Sequence, residues 1–194
     1  MRVIAGTLRR RTLEAPAGLA TRPTSDRLRE SLFNVLAPRI EGARFLDLYA
    51  GSGAAGIEAA SRGAASVVLV ERAVPALKVL RGNLEKLGLQ DGVRVEAVSV
   101  AVFLRRVQSQ RTGSAGSHFD VIFLDPPYEA VDEYVLSLGL LGGERSVLLA
   151  EGAVVIAEHR RKEKLADRYG ALARTRLLEQ GDAALSFYET AISF

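Results

Sequence analysis

The sequence contains no cysteine over its 194 residues. The absence of thiols excludes disulfide bonds, thiolate zinc sites and enzymes that use a cysteine nucleophile. No apolar run approaches the roughly 18 residues that a membrane-spanning helix needs, so no such helix is expected. The amino terminus also lacks the apolar stretch of a secretory signal. These absences together predict a cytoplasmic protein that works without catalytic or structural thiols.

Positive charge is concentrated at one end of the chain. The first 29 residues hold seven arginines and two acids, whereas the net charge of the whole chain is only +3. A basic segment ahead of a near-neutral body is typical of proteins that bind a phosphate-rich partner, although a biased composition would also produce it. Hydrophobic residues make up 48% of the sequence, which is enough at this length for one domain with a substantial core.

From Arg44 onward, apolar runs alternate with helical periodicity. Strands are expected at 44–49, 66–70, 93–98, 119–124 and 152–157, and helices at 55–62, 74–87, 99–107 and 131–140. This alternation predicts a parallel sheet joined by crossover helices. Two further segments, 171–178 and 184–190, predict a closing antiparallel hairpin with a turn at Gly181-Asp182.

Ahead of this core, residues 2–13 predict a short hairpin that exposes arginines, and a helix is expected from Ser25 or Asp26 to about Leu36, ended by Pro38 and Gly42. The expected division is a basic hairpin arm at 1–24 and a main domain at 25–194. The polar stretch 108–117 predicts a surface loop.

A glycine motif follows the first predicted strand. Gly51-x-Gly53-x-x-Gly56 fits the dinucleotide-binding fingerprint, and Glu71 lies where a ribose-binding acid is expected. An oxidoreductase that uses a nicotinamide is therefore one interpretation. However, Asp47 lies inside the strand, and a carboxylate there suits a cationic ligand better than a pyrophosphate.

A second motif, Asp125-Pro126-Pro127-Tyr128, follows the apolar run 121–124 and has no obvious role in hydride transfer. Both motifs leave the carboxyl ends of strands, where open α/β sheets bind their ligands, so one crevice can hold both. Together the two motifs resemble those of class I S-adenosylmethionine-dependent methyltransferases that modify exocyclic amines of nucleobases.

The resemblance becomes closer at the amino terminus. The run Thr21-Arg22-Pro23-Thr24-Ser25-Asp26-Arg27, with Leu32-Phe33-Asn34 and Phe45–Gly56, resembles the RsmD family of 16S rRNA (guanine-N2)-methyltransferases. This resemblance implies a Rossmann-like, seven-stranded, mostly parallel sheet with helices on both faces. It also implies a monomer without a metal that methylates guanine 966 of 16S rRNA, within the small ribosomal subunit or its assembly intermediate.

By the same resemblance, each part of S-adenosylmethionine has an expected partner. The glycine turn faces the carboxylate, Asp47 offsets the ammonium and sulfonium, and Glu71 accepts the ribose hydroxyls. The family usually has an acid after strand three for the adenine; here Ser99 takes that place. The expected donor-binding residues are Thr24, Asp47, Tyr49, Ala50, Gly51, Ser52, Gly53, Glu71, Arg72 and Ser99.

The expected catalytic residues are Asp125, Pro126, Pro127 and Tyr128. Asp125 and the carbonyl of Pro126 accept N–H bonds from the target amine, Pro127 stiffens the loop, and Tyr128 stacks on the base, worth about 1–3 kcal/mol. The expected RNA-binding residues are Arg9, Arg10, Arg11 and Arg22.

Several alternatives remain at this level. Adenine-N6 and protein glutamine methyltransferases share the second motif, but more often have Asn where this chain has Asp125. A nicotinamide oxidoreductase and a non-catalytic RNA-binding module stay open as well. The missing cysteine excludes pyrimidine-C5 methyltransferases, which attack the ring with a thiolate. Neither histidine is assigned to catalysis: His118 is expected to be solvated and His159 to be structural.

Overall fold

A computed structural model describes residues 1–15, 23–109, 118–127, 131–143 and 147–191, and gives only the backbone for residues 23–25. The chain divides into two units, Met1–Val98 and Ser99–Phe194. None of the helices among the described residues combines the length and the apolar character needed to cross a membrane.

The described residues of the first unit form three helices and three parallel strands. The elements in chain order are α1 (Pro23–Ile40), β1 (Arg44–Asp47), α2 (Ala54–Ser61), β2 (Ser66–Val70), α3 (Val74–Leu87) and β3 (Val93–Glu96). Strand β2 lies between β1 and β3, with Leu46 paired to Val68 and Val68 to Arg94. The strands are rich in valine and leucine, and most residues of β1 and β2 are buried.

Helix α2 packs closely on this sheet because Gly56 has no side chain. A Cβ atom at Gly56 would lie 2.2 Å from Cδ2 of Leu69 on β2. The rings of Phe33 on α1 and Phe45 on β1 stack with centroids 6.1 Å apart. The third glycine of the motif therefore serves helix–strand packing.

Helix α1 is longer than predicted at both ends. It begins at Pro23, where a proline suits the first turn of a helix, and it continues through Pro38 to Ile40. Pro38 has no N–H to donate to the carbonyl of Asn34, and since Asn34 is an exposed residue, water can take that place. Burial of Ile40 fixes the last turn.

The first 15 residues pair as a short antiparallel hairpin, with a longer loop than predicted. Arg2 and Thr12 form a bridge, and the N–H groups of Val3 and Leu13 donate to the carbonyls of Arg11 and Met1, each at 3.0 Å. The N–H groups of Ile4 and Ala5 instead donate to the fully buried carboxylate of Glu58 on α2, at 2.8 and 3.0 Å. Because these donors are used against a helix, they cannot extend a ladder. We call residues 1–15 the N-terminal segment.

Within the described ranges, the second unit has two helices and five strands. Its elements are α4 (Val100–Ser109), β4 (Phe119–Leu124), α5 (Val131–Leu141), β5 (Leu149–Arg160), β6 (Arg168–Tyr169), β7 (Leu172–Gln180) and β8 (Ala183–Thr190). The strand order is β4-β5-β8-β7-β6; β4 and β5 are parallel, and the remaining pairs are antiparallel.

The closing hairpin is confirmed as β7 and β8, joined at Gly181-Asp182. The described residues hold eight strands where seven were predicted, because the two-residue β6 is too short to show a pattern. The predicted loop 108–117 begins with two residues that belong to α4, and residues 110–117 lie outside the described ranges.

Candidate active site

The glycine turn connects β1 to α2 with two residues in the left-handed region. Gly51 has φ +54° and Gly53 φ +85°. The N–H of Gly53 donates to the carbonyl of Ala50 at 2.7 Å, and the carbonyl of Gly53 accepts the N–H of Ile57 in the first turn of α2. A Cβ atom at Gly51 would meet no other atom within 4 Å. The backbone at Gly51 is therefore open to close approach by a ligand.

Glu71 lies against this turn, as its spacing from Gly51 predicts. Its Oε2 accepts the Gly51 N–H at 2.9 Å, and its Oε1 accepts the N–H groups of Arg72 and Ala73 at 2.8 and 2.7 Å. A carboxylate offers about four lone-pair positions. Three are used here, so Glu71 can accept one ligand hydroxyl as it stands, and a second only in exchange for the Gly51 N–H.

The other predicted donor-binding residues of the first unit differ in exposure. Asp47 ends β1 and is only 1% exposed, so its carboxylate lies at the base of the turn in a dry environment. Ala50 and Ser52 are buried, Tyr49 is half-buried and Arg72 is exposed. The backbone of Thr24 belongs to the first turn of α1, while Thr21 and Arg22 lie outside the described residues.

Ser99, in the second unit, caps a helix. Its Oγ accepts the N–H of Val102 at 3.3 Å, and its carbonyl accepts the N–H of Phe103 at 3.0 Å. This is the arrangement of a serine N-cap. Its hydroxyl hydrogen remains available as a donor, but its oxygen already serves α4.

The second motif leaves the carboxyl end of β4. Asp125 is half-buried, Pro126 is buried and Pro127 is exposed; Tyr128 lies outside the described residues. Burial of Asp125 raises its pKa from 3.8 to about 7, because the charged carboxylate loses hydration. A carboxyl group with this pKa can both accept and hold a proton near neutral pH.

The neighbouring arginines Arg9, Arg10 and Arg11 of the N-terminal segment are exposed to solvent, as is Arg2. The guanidinium of Arg11 also donates to the carbonyl of Lys86 at the end of α3, at 3.2 Å. Among the described residues other than glycine, Arg10 is the one with a positive φ, at +70°. The segment therefore presents its cations from a fixed loop.

We expect Arg10→Gly to stabilise the fold. A left-handed conformation costs a residue with a Cβ about 1–2 kcal/mol, and glycine avoids this cost. Part of the gain is lost because glycine gives the unfolded chain more conformational entropy. The net gain in the free energy of unfolding should be about 0.5–1 kcal/mol, measured by urea denaturation. Arg9→Gly is the matched control; it should lose stability, and an equal loss in both variants would contradict the expectation.

Both histidines lie where they were expected. His118 is exposed. His159 is buried, with one ring nitrogen 2.9 Å from Oγ of Ser186 and the other 2.9 Å from the carbonyl of Arg160. Burial lowers the pKa of His159, which favours the neutral ring. Its contacts indicate a structural role within the second unit.

Four buried polar residues in the described part of the first unit were missed from sequence: Arg29, Glu58, Ser61 and Asn83. Arg29 donates to the carbonyl of Arg2 at 2.7 Å, and all four contact the N-terminal segment. The available signal was a polar residue in an otherwise apolar helical stripe, as for Asn83 between Leu80 and Leu87. No group of three or more possible metal ligands occurs among the described residues.

The family described as "Conserved hypothetical protein 95" matches residues 1–189 of the chain. A relative in Bacillus subtilis, "Putative rRNA methyltransferase YlbH", is 38% identical over 189 residues, covering 97% of this chain and 98% of its own length. "Ribosomal RNA small subunit methyltransferase D" of Haemophilus influenzae is 40% identical over 129 residues, covering 66% of this chain and 64% of its own length.

Solved structures agree over nearly the whole chain. "Putative methyltransferase yhhF" from Escherichia coli has a TM-score of 0.79 at 33% identity, covering 98% of this chain and 97% of its own. A hypothetical protein from Thermus thermophilus has a TM-score of 0.78 at 34% identity, covering 96% of this chain and 98% of its own. The predicted Rossmann-like α/β methyltransferase fold is thereby confirmed.

Proposed function

Since the chain belongs to the family described as conserved hypothetical protein 95, which includes ribosomal RNA small subunit methyltransferase D, we propose that it transfers a methyl group from S-adenosylmethionine to N2 of a guanine in small-subunit ribosomal RNA. The observation that carries the proposal is Asp125, a carboxyl group with a raised pKa directly ahead of two prolines at the end of β4. The matched relatives supply the class of RNA.

The first unit fits the methyl donor in three respects. The open backbone at Gly51 admits a carboxylate, which the amino end of α2 attracts. The buried carboxylate of Asp47 compensates a cationic ligand. Glu71 is oriented by three N–H groups and accepts a ribose hydroxyl. We assign the donor to these residues; Tyr49, Ala50, Ser52 and Gly53 complete the turn.

The second unit supplies the groups for the target amine. The lone pair of a guanine exocyclic amine is delocalised into the ring, which makes it a poor nucleophile. Asp125 and the carbonyl of Pro126 each accept one N–H bond, so the nitrogen becomes more tetrahedral and its lone pair is directed at the methyl carbon. Most of the acceleration then comes from positioning and electrostatics. We assign the stacking of the base to Tyr128.

The donor supplies an electrophilic methyl carbon on a positively charged sulfur. The N–C bond forms as the S–C bond breaks, the electron pair of the broken bond goes to sulfur, and N2 loses one proton. Asp125, with its pKa of about 7, can take that proton or pass it to water. Because a duplex hides N2 from such a site, the guanine must be unstacked or already in a loop.

The proposal is tested with purified protein, labelled donor and small-subunit particles from cells that lack the gene. After digestion, the label should be found in N2-methylguanosine, at guanine 966 if the resemblance extends to the site. Label in N6-methyladenosine would support the adenine alternative instead. No label in naked RNA or in particles would contradict the proposal.

The pH dependence of the rate should report the ionisation of Asp125. The ionised carboxylate is the acceptor, and burial raises its pKa to about 7, so kcat/KM should rise about tenfold per pH unit below that value and level off above it. The folded state binds this proton more tightly than the unfolded chain does. As the pH rises from about 4 to about 7, the contribution of Asp125 to the free energy of unfolding therefore falls.

Single-turnover rates between pH 5.5 and 8.5 measure this profile, with unfolding at the same pH values as a check on folding. Asp125→Asn has no titrating group at this position and is the control, because its residual rate should lack the inflection near neutrality. A flat profile for the wild-type enzyme would contradict the assignment of Asp125 as the acceptor.

A further inference from the structure

Asn83 is a buried polar residue whose side chain joins the N-terminal segment to the glycine turn. It lies on α3 and is 1% exposed. Its Oδ1 accepts the N–H of Glu14 at 2.9 Å, and its Nδ2 donates to the carbonyls of Glu14 at 3.0 Å and Ser52 at 2.9 Å. Both N–H donors of the amide are used, and the partners fix which end of the amide is oxygen.

The contact with Ser52 restrains one peptide plane of the glycine turn. The carbonyl of Ser52 accepts from Asn83, while the N–H of Gly53, on the same peptide, donates to Ala50. Rotation of this peptide would break both bonds and disturb the left-handed conformation of Gly53, whose surroundings already leave no room for a Cβ. Asn83 thus fixes the orientation of the Ser52–Gly53 peptide, and with it the shape of the turn.

The N-terminal segment is attached on both sides of this turn. Glu58 and Ser61 of α2, the helix that follows the turn, bind backbone groups of residues 4, 5 and 8. On the α3 side, Asn83 binds Glu14 through two hydrogen bonds. Arg9, Arg10 and Arg11 lie in the loop between these attachments, so this loop belongs to a segment that is anchored on both sides of the turn.

We infer that Asn83 is a positioning residue through which the N-terminal segment holds the glycine turn in the shape that binds the methyl donor. The inference rests on the proposed function for the identity of the donor, but its geometry concerns this chain alone. It follows that the N-terminal segment contributes to donor affinity through Asn83.

The first test is hydrogen exchange at the amides of the turn, which needs no ligand. Asn83→Ala removes the side-chain amide, and Glu14→Pro removes the N–H that donates to it. Both variants should speed hydrogen exchange at residues 51–53 about tenfold. Glu14→Ala keeps that N–H and removes the exposed side chain with its 3.8 Å ion pair to Lys86, which Glu14→Pro removes as well. It should therefore match the wild type, because an exposed ion pair contributes little. Asn34→Ala, at an exposed asparagine of α1, is the second control.

Unchanged exchange at the turn in both Asn83→Ala and Glu14→Pro, with normal folding, would overturn the inference. If Asn83→Ala fails to fold, the comparison of Glu14→Pro with Glu14→Ala still decides the test. A loss of thermal stability with unchanged exchange at the turn would also overturn it, because that pattern indicates a packing role only.

The second test is calorimetry with S-adenosylhomocysteine, the reaction product. Asn83→Ala should weaken binding about tenfold, and Glu14→Pro severalfold, while Glu14→Ala leaves the affinity unchanged. The KM for the donor should rise more than kcat falls. Equal affinities in all variants would overturn the inference. A wild-type protein that binds no product would instead contradict the proposed function, and the exchange experiment would then decide the inference alone.

Discussion

Replacement of Asp125 by alanine is expected to lower the rate of methyl transfer by about 10³-fold, because a single preorganised polar group at a reacting centre is typically worth 10²–10³ in kcat. The variant loses the acceptor that orients the amine and the group that can take its proton. The affinity for S-adenosylhomocysteine should stay within about twofold, since the donor is assigned to residues of the first unit. Single-turnover rates and calorimetry measure the two effects separately.

Two variants control this experiment. Asp125→Asn keeps the size and one acceptor but cannot take a proton, so its rate should lie between those of the wild type and the alanine variant. Asp132→Ala removes an exposed carboxylate from the first turn of α5 and should leave the rate unchanged. If Asp125→Ala retains the wild-type rate, the assignment of the catalytic motif is wrong.

Local patterns were sufficient to predict most elements of this fold. Strand β2 at Ser66–Val70 and helix α3 at Val74–Leu87 agree with the predicted ranges residue for residue. Their apolar periods are strong and their ends carry plain signals, such as Pro75 near the start of α3. The contact between Glu71 and Gly51 was also predictable, because a strand–turn–helix unit brings residues 20 positions apart to one sheet edge.

The attachment of the N-terminal segment was not predictable in this way. The N–H of Ile4 donates to Glu58, 54 positions further along the chain. The N–H of Glu14 donates to Asn83, 69 positions further along. Each bond uses a side chain to satisfy a backbone group, so no alternation in the segment encodes the partner. The short hairpin expected there is present, but its pairing ends before Ile4, because the N–H donors of Ile4 and Ala5 have a buried carboxylate available.

Replacement of Arg9, Arg10 and Arg11 by alanine is expected to reduce the salt dependence of RNA binding. Removal of one arginine–phosphate contact should lower the slope of log affinity against log salt by about 0.7–0.9, so removal of three should lower it by about 2–3. Between 50 and 200 mM salt the wild type should then lose about 20- to 40-fold more affinity than the variant. Filter binding or fluorescence anisotropy at several salt concentrations measures the slope.

The matched control removes three exposed cations that follow β5: Arg161, Lys162 and Lys164. It changes the net charge by the same amount, so general attraction to RNA falls equally in both variants. A smaller slope in the N-terminal variant alone would place phosphate at the arginines of the segment. Equal slopes in the two variants would mean that net charge drives binding, and an unchanged slope would mean that these arginines do not contact the backbone. Because the arginines are carried on a loop fixed to α2 and α3, the first outcome is the one expected.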